Sequence, residues 1–228
     1  MCGRFAFHSP HETVEQLFGV GPGTRPWPPR WNIAPGADVA AVRAAAGGGR
    51  ELVALHWGLV PAWARERAIG NQLINARVET LHERPAFRRA LRRRRCLVIA
   101  DGYYEWRAVG ALKQPYLIET ADRAPFGMAG LWEAWRDPAS GAVLESCAII
   151  TRESAGVVRG IHDRMPAIVA PSDHATWLDP ACTDAAALEA LLTGEPRVTL
   201  VAHAVSRRVN DPRHEGPELA RPVGAGDA

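Results

Sequence analysis

Apolar positions in this chain fall in many short runs rather than in long helical stripes. "CLVIA" (96–100) is continuously apolar, the pattern of a strand covered on both faces. "GYYEWRA" and "PYLIE" read as strands around a turn near Gly110, and "PFGMAGLWEAW" and "VLESCAIIT" as two more. "AAAGGGR" (44–50) reads as a hairpin tip between strands near 38–43 and 51–57. "MPAIVA" predicts one short strand and "RVTLVAHAV" a late one. Helices are few. Ser9, Pro10 and Glu12 form a capping box with proline at the first helical position, predicting a helix from Pro10 to Phe18. "RPAFRRALRRR", "SDHATWLD" (opening on a serine cap) and "TDAAALEALLT" complete the set. The Gly- and Pro-rich stretch 20–36 is expected to be irregular and to end in a turn at "NIAPG".

Strands spread along the whole chain, without a repeat, a long linker or a regular βαβ alternation, predict an α+β fold. The expectation is a single domain over 1–223, built on a strongly bent β-sheet or open barrel-like core with peripheral short helices. Residues 224–228 are expected to form a loose tail.

Composition narrows the function classes without choosing among them. At 228 residues, 47% hydrophobic and 23% charged, the chain has ordinary globular usage. No basic segment followed by an apolar run opens it, and no run approaches a membrane span. The expectation is a cytoplasmic protein with no membrane contact. Net charge is only +2, yet "FRRALRRRR" packs six arginines into 88–95. That run is either a phosphate contact or a solvated helix face. Cys2, Cys96, Cys147 and Cys182 are too widely spaced for a zinc site or a dense disulfide scaffold, so no metal is expected. Cys96 and Cys147 lie in apolar runs and read as buried small hydrophobes.

Four places carry candidate chemistry. Cys2 directly follows the start methionine; loss of Met1 would leave an amine and a thiol on one residue. "INARVET" (74–80) alternates Asn75, Arg77 and Glu79, which share one face if the segment is a strand. Glu105 is flanked by Tyr103, Tyr104 and Trp106, and aromatic bulk would desolvate its carboxylate and prepare it for proton transfer; the same alternation also fits a solvated face. His162 lies in a polar turn, with Asp163 and Arg164 placed to orient it or to contact a phosphate. From the residues alone this is an α+β domain with a Cys–Glu–His site in prospect.

"MCGRF", "NIAPG", "WGLVPAW", "INARVET", "DGYYEW", "GIHDRMP" and "AVSRRVND", in this order, resemble the motifs of the SRAP (SOS response-associated peptidase-like) family from Cys2 to about Val223. The resemblance implies a DNA-repair protein that loses Met1 and binds single-stranded DNA containing abasic sites. It links to the lesion through a thiazolidine built from the amine and thiol of Cys2. It implies a bacterial, cytoplasmic protein that associates with the nucleoid when on DNA, acts as a monomer and needs no cofactor. The implied catalytic set is Cys2, Asn75, Glu105 and His162. Glu105 shuttles protons, His162 assists ring opening and crosslink reversal, and Asn75 positions the amine or a sugar hydroxyl. Arg4 and Arg77 match phosphate contacts, Trp63 and Trp106 match aromatic contacts to DNA, and Pro35, Thr151 and Arg164 line the same groove. The charged segment 64–72 and Pro85 depart from the family pattern and bear on the DNA shape preferred. A cysteine-type peptidase or autopeptidase, a non-covalent reader of modified bases, and an abasic-site lyase side activity are the alternatives.

Overall fold

The computed structural model describes residues 2–21, 27–194 and 197–224. Its centre is a closed ring of five strands: β3 (Asp38–Ala44), β4 (Arg50–Trp57), β6 (Arg95–Ala100), β9 (Phe126–Arg136) and β10 (Val143–Glu153). β10 pairs with β4, β4 with β3, β3 with β6 and β6 with β9, and the β9–β10 ladder from Gly130↔Ile149 to Arg136↔Val143 closes the ring. The barrel-like core expected from the sequence is therefore present, and closure leaves these five strands no free edge among themselves. All six residues of β6 are buried, as a continuous apolar run requires. Gly130 lets the ring draw tight, because a Cβ there would stand 2.8 Å from Cys96 Sγ across the ladder.

A second sheet runs β13 (Leu200–Ala204), β8 (Leu112–Thr120), β7 (Gly102–Val109), β1 (Phe5–Phe7), β2 (Arg30–Ile33). One large core joins the two, with Phe5 of β1 packed on Trp57 of β4 at 5.2 Å between rings. Short elements extend the barrel sheet. β5 (Asn75–Arg77) and β11 (Arg164–Pro166) add to β10, and β12 (Ile168–Val169) adds to β9. Among the described residues four α-helices lie around the sheets: α1 (His11–Phe18), α2 (Arg88–Arg93), α3 (His174–Leu178) and α4 (Ala185–Thr193). Among the described residues no helix is long and apolar enough to cross a membrane, and no cluster of His, Cys, Asp and Glu is arranged to hold a metal ion.

Several local expectations need correction. Ser9 does not cap α1; its hydroxyl and amide donate to Asp101 instead, and Pro10 takes the cap position without a side-chain bond. Stretch 20–36 is not wholly irregular, because β2 forms within it and pairs with β1; residues 22–26 lie outside the described residues. "MPAIVA" is two strands rather than one: β11 bonds to β10 and β12 to β9, with the switch at Ala167. Ser172 starts no helix, since Pro171–Asp173 forms a 3-10 turn that leads into α3. The arginine run is divided. Arg95 is buried and donates to five backbone carbonyls, and Arg94 pairs with Glu133. Only Arg88, Arg89, Arg92 and Arg93 face solvent. Residues 225–228 of the expected loose tail lie outside the described residues.

Candidate active site

Strand β1 brings the chain start to the carboxylate. It runs antiparallel to β7 with Phe5 opposite Tyr103, and the Tyr104 amide donates to the Arg4 carbonyl at 2.9 Å. Continuing back from Arg4 brings the start of the chain alongside Glu105. Cys2 is fully buried there, and Asn75 Nδ2 donates to its carbonyl at 2.8 Å. Asn75 opens β5, held in parallel register on β10 with Ile149 opposite Asn75 and Thr151 opposite Arg77. This one hydrogen bond therefore ties the segment leading into β1 of the second sheet to an element of the barrel sheet.

Glu105 is 2% exposed, so the solvated-face alternative falls. Burial raises its pKa above the ordinary carboxylate value, against the lowering influence of nearby His162. Tyr103, two residues earlier on the same face of β7, is also buried, and its hydroxyl is pushed well up by burial, then by Cys2 and Glu105. Burial likewise drives the Cys2 thiol far above its usual range, and Glu105 adds to the effect. His162 follows the 3-10 turn Gly156–Gly160 and closes the cluster. Its Nε2 lies 3.9 Å from Glu105 Oε2, while Nδ1 lies 2.9 Å from both the Arg164 amide and Asp163 Oδ1.

The remaining candidates occupy different shells. Arg4 Nη1 donates to Asn32 Oδ1 at 2.8 Å and to the Val209 carbonyl at 2.6 Å. Fully buried Asn32 in turn donates to the carbonyls of Asp211 and His214, so Arg4 is anchored to the 209–214 segment. Arg77 is exposed and, with Arg84, Gln72 and Asn75, lines a recess of about 370 Å³. Arg164 is forked onto Glu79 and also donates to the Thr151 carbonyl. Trp106 donates its indole N–H to Asn210 at 2.7 Å. Pro35 is exposed in the turn after β2. Trp63 is 60% exposed on the loop after β4, whose path depends on Gly58 (φ +142°) crossing Gly70 so closely that a Cβ would stand 2.9 Å from a carbonyl.

The grouping of Asn75, Arg77 and Glu79 on one strand face does not hold. β5 ends at Arg77, and Glu79 sits in the 3-10 turn Val78–Thr80, which turns it toward Arg164. Sequence reasoning missed Tyr103 and Asn32 as members of the site. Both lie inside motifs that stood out, "DGYYEW" and "NIAPG", but nothing in the spacing said which polar atom turned inward. Five buried polar atoms here have no partner among the described residues: Arg4 Nε, Asn75 Oδ1, Tyr103 Oη, Thr151 Oγ1 and Arg164 Nε. Buried polar groups are normally satisfied, so this density singles the cluster out as a candidate ligand site. A cavity of about 430 Å³ near Phe18, Phe126 and His174 shares no residue with this cluster.

A family model described as SOS response associated peptidase (SRAP) matches residues 1–212. The abasic site processing protein YoqW of Bacillus subtilis (strain 168) is 36% identical over 222 residues, covering 96% of this chain and 98% of that protein. The abasic site processing protein HMCES of Xenopus tropicalis is 34% identical over 192 residues, 74% of this chain and 56% of that protein. Among solved structures, a protein from Bacteroides thetaiotaomicron superposes with a TM-score of 0.87 at 25% identity, covering 97% of this chain and all of that one. A phage-related protein from Bordetella bronchiseptica gives 0.70 at 33% identity, with 90% and 94% covered.

Proposed function

This chain belongs to the SOS response associated peptidase (SRAP) family, and from that premise we propose that it processes abasic sites in DNA by capturing them covalently on Cys2 in single-stranded DNA. The observation that carries the reading is the meeting of Cys2, Asn75, Glu105 and His162 around the start of the chain.

The chemistry proceeds from the ring-opened deoxyribose, whose C1′ is an aldehyde. Removal of Met1 frees the Cys2 amine, and a model α-amino group with a pKa of about 7.7–8.0 is partly neutral at physiological pH. The amine adds to C1′, and loss of the carbinolamine oxygen as water leaves an imine. Sγ then adds to the same carbon, its proton passes to nitrogen, and a thiazolidine closes. Two bonds form at C1′, the C=O bond is lost, and one water leaves. Glu105 holds the proton that the departing hydroxyl needs and takes the one that the thiol gives up. A carboxyl raised by burial suits both duties. Asn75 fixes the Cys2 carbonyl and so the direction of the adjacent amine. Arg4 and Arg77 supply cationic contacts to flanking phosphates, Arg164 and Thr151 line the groove, and Trp63 offers a stacking face.

A cysteine-peptidase reading has less support. It needs a resting thiolate activated by a base, whereas burial and Glu105 both hold the Cys2 thiol protonated. An amine-first mechanism has no such need. The test incubates protein of confirmed N-terminal mass with an oligonucleotide containing one abasic site, followed by a denaturing gel. A shifted band that Cys2→Ala abolishes is expected. No band from protein that has lost Met1 sinks the proposal, and turnover of an unrelated peptide favours the peptidase.

A further inference from the structure

Glu79 and Arg164 approach each other from separate elements, the turn after β5 and the start of β11. Their side chains meet fork to fork, with Nη1 2.6 Å from Oε1 and Nη2 3.0 Å from Oε2. Nη2 also donates to the Thr151 carbonyl of β10 at 2.7 Å. The guanidinium is thus fixed at three points, none on its own element. Bidentate pairing of this kind sets geometry as well as energy.

What the clamp holds is the Arg164 backbone. Its amide lies 2.9 Å from His162 Nδ1. An amide N–H only donates, so Nδ1 must be bare when this bond exists, and the neutral ring then carries its proton on Nε2. Nε2 is the atom 3.9 Å from Glu105 Oε2. Asp163 Oδ1, also 2.9 Å from Nδ1, makes the opposite demand, since a carboxylate only accepts. The Arg164 amide therefore accompanies a ring bare at Nδ1, and Asp163 any ring protonated there.

We propose that Glu79 is a positioning residue: by clamping Arg164 it holds the Arg164 amide on His162 Nδ1 and so fixes neutral His162 with its Nε2–H directed toward Glu105. The consequence is a division of labour at the proposed site. A neutral ring in this tautomer has no lone pair at Nε2 and cannot take a proton there. It donates a hydrogen bond to Glu105 or to a sugar oxygen, no bond to hydrogen breaks on it, and Glu105 moves the protons. This consequence rests on the proposed function, whereas the clamp itself is measured without DNA.

The test is nitrogen-15 NMR of histidine-labelled full-length protein, DNA-free, at about pH 8.5, above the ordinary imidazole range. His162 is expected with its proton on Nε2. Glu79→Ala should give a mixture of both tautomers, and Glu79→Gln, whose amide oxygen still accepts from Arg164, should restore the single form. A wild-type ring protonated on Nδ1, or a Glu79→Ala spectrum unchanged from wild type, overturns the proposal. In the crosslinking assay His162→Gln, which retains an N–H donor, should capture abasic DNA faster than His162→Leu, which does not, and equal rates in the two variants refute the donor role. Wild-type protein that shows the Nε2–H form yet captures no abasic DNA supports the clamp and defeats the functional reading alone.

Discussion

Replacing Glu105 by Gln is expected to slow abasic-site capture and, at the same time, to stabilise the protein increasingly as pH rises. The carboxyl is 2% exposed, and burial raises its pKa in the folded state. In the unfolded chain it titrates near 4.3. Below that value both states hold the proton and nothing is lost. As pH climbs from there to the raised folded value, the unfolded chain releases its proton while the folded protein retains it. The folded state then binds more protons, so unfolding free energy falls with pH, and above both values the deficit stays constant. Each pH unit between the two titrations is worth about 1.4 kcal/mol. The neighbouring imidazole, 3.9 Å away, works in the opposite direction but does not cancel the effect of burial. Glu105→Gln lacks the titration, so its stability relative to wild type should grow between about pH 4 and pH 8, in proportion to the separation of the two titrations. Urea denaturation of both proteins across that range measures the difference directly, and the gel assay should show a capture rate about 10²–10⁴-fold lower. A stability difference flat with pH, or one that moves against the variant as pH rises, refutes the reasoning.

Cys2→Ser retains the amine but closes a less stable oxazolidine; it should trap abasic DNA only when borohydride reduces the imine, and Cys2→Ala should trap it the same way without ever giving the reduction-independent adduct, both read on denaturing gels. Trp63→Ala removes a 60% exposed ring and should weaken non-covalent binding to single strands by about 1–3 kcal/mol in fluorescence titrations while changing stability by less than about 0.5 kcal/mol. Arg77→Ala should reduce the slope of log affinity against log salt by about 0.7, and an unchanged slope would remove Arg77 from the phosphate contacts. Arg95→Met strands the carbonyls of Leu91, Arg92, Trp177, Asp179 and Cys182; a cost of about 3 kcal/mol or more is expected, seen in calorimetry as a Tm roughly 6–12 °C lower.

What could be read from the sequence follows the range of the forces involved. Strands β3, β4 and β6 to β10 were legible because each is fixed by its own apolar run and by adjacent turn residues such as Gly110 and the 44–50 tip. The closing of β9 on β10 was not, since nothing local distinguishes a bent sheet from a ring. Ser9 fits a cap by spacing alone, but Asp101, 92 residues away, outcompetes the helix amides for its hydroxyl. Glu79 fits a strand face by alternation, but the chain turns at Val78 and the pairing with Arg164, 85 residues on, decides its direction. The desolvation of Glu105 was inferable from its aromatic flanks. Its closeness to Cys2 was not, because it depends on the β1–β7 register. Recognition of seven motifs in order supplied what local physics could not, namely which polar residues belong together.

The burial of Cys2 bears on how a reactive chain start could be selective. An exposed N-terminal cysteine condenses with small aldehydes generally. Here the residue is fully buried, its thiol is held protonated, and its carbonyl is tied to Asn75. On the proposed reading, an aldehyde must arrive with enough binding energy of its own to reach and desolvate at this site. A DNA strand has that energy in its phosphates and bases, through Arg4, Arg77 and Trp63; a free aldehyde does not. Energy from remote contacts is then spent at the reacting carbon. The same logic accounts for the unpartnered atoms on Arg4, Asn75, Tyr103, Thr151 and Arg164. Each is a local cost to the folded state, and each becomes useful only when a ligand with complementary polar groups fills the groove. On the same reading, stability is given up here for recognition of a DNA strand, while the closed barrel and the buried Arg95 network hold the surrounding frame.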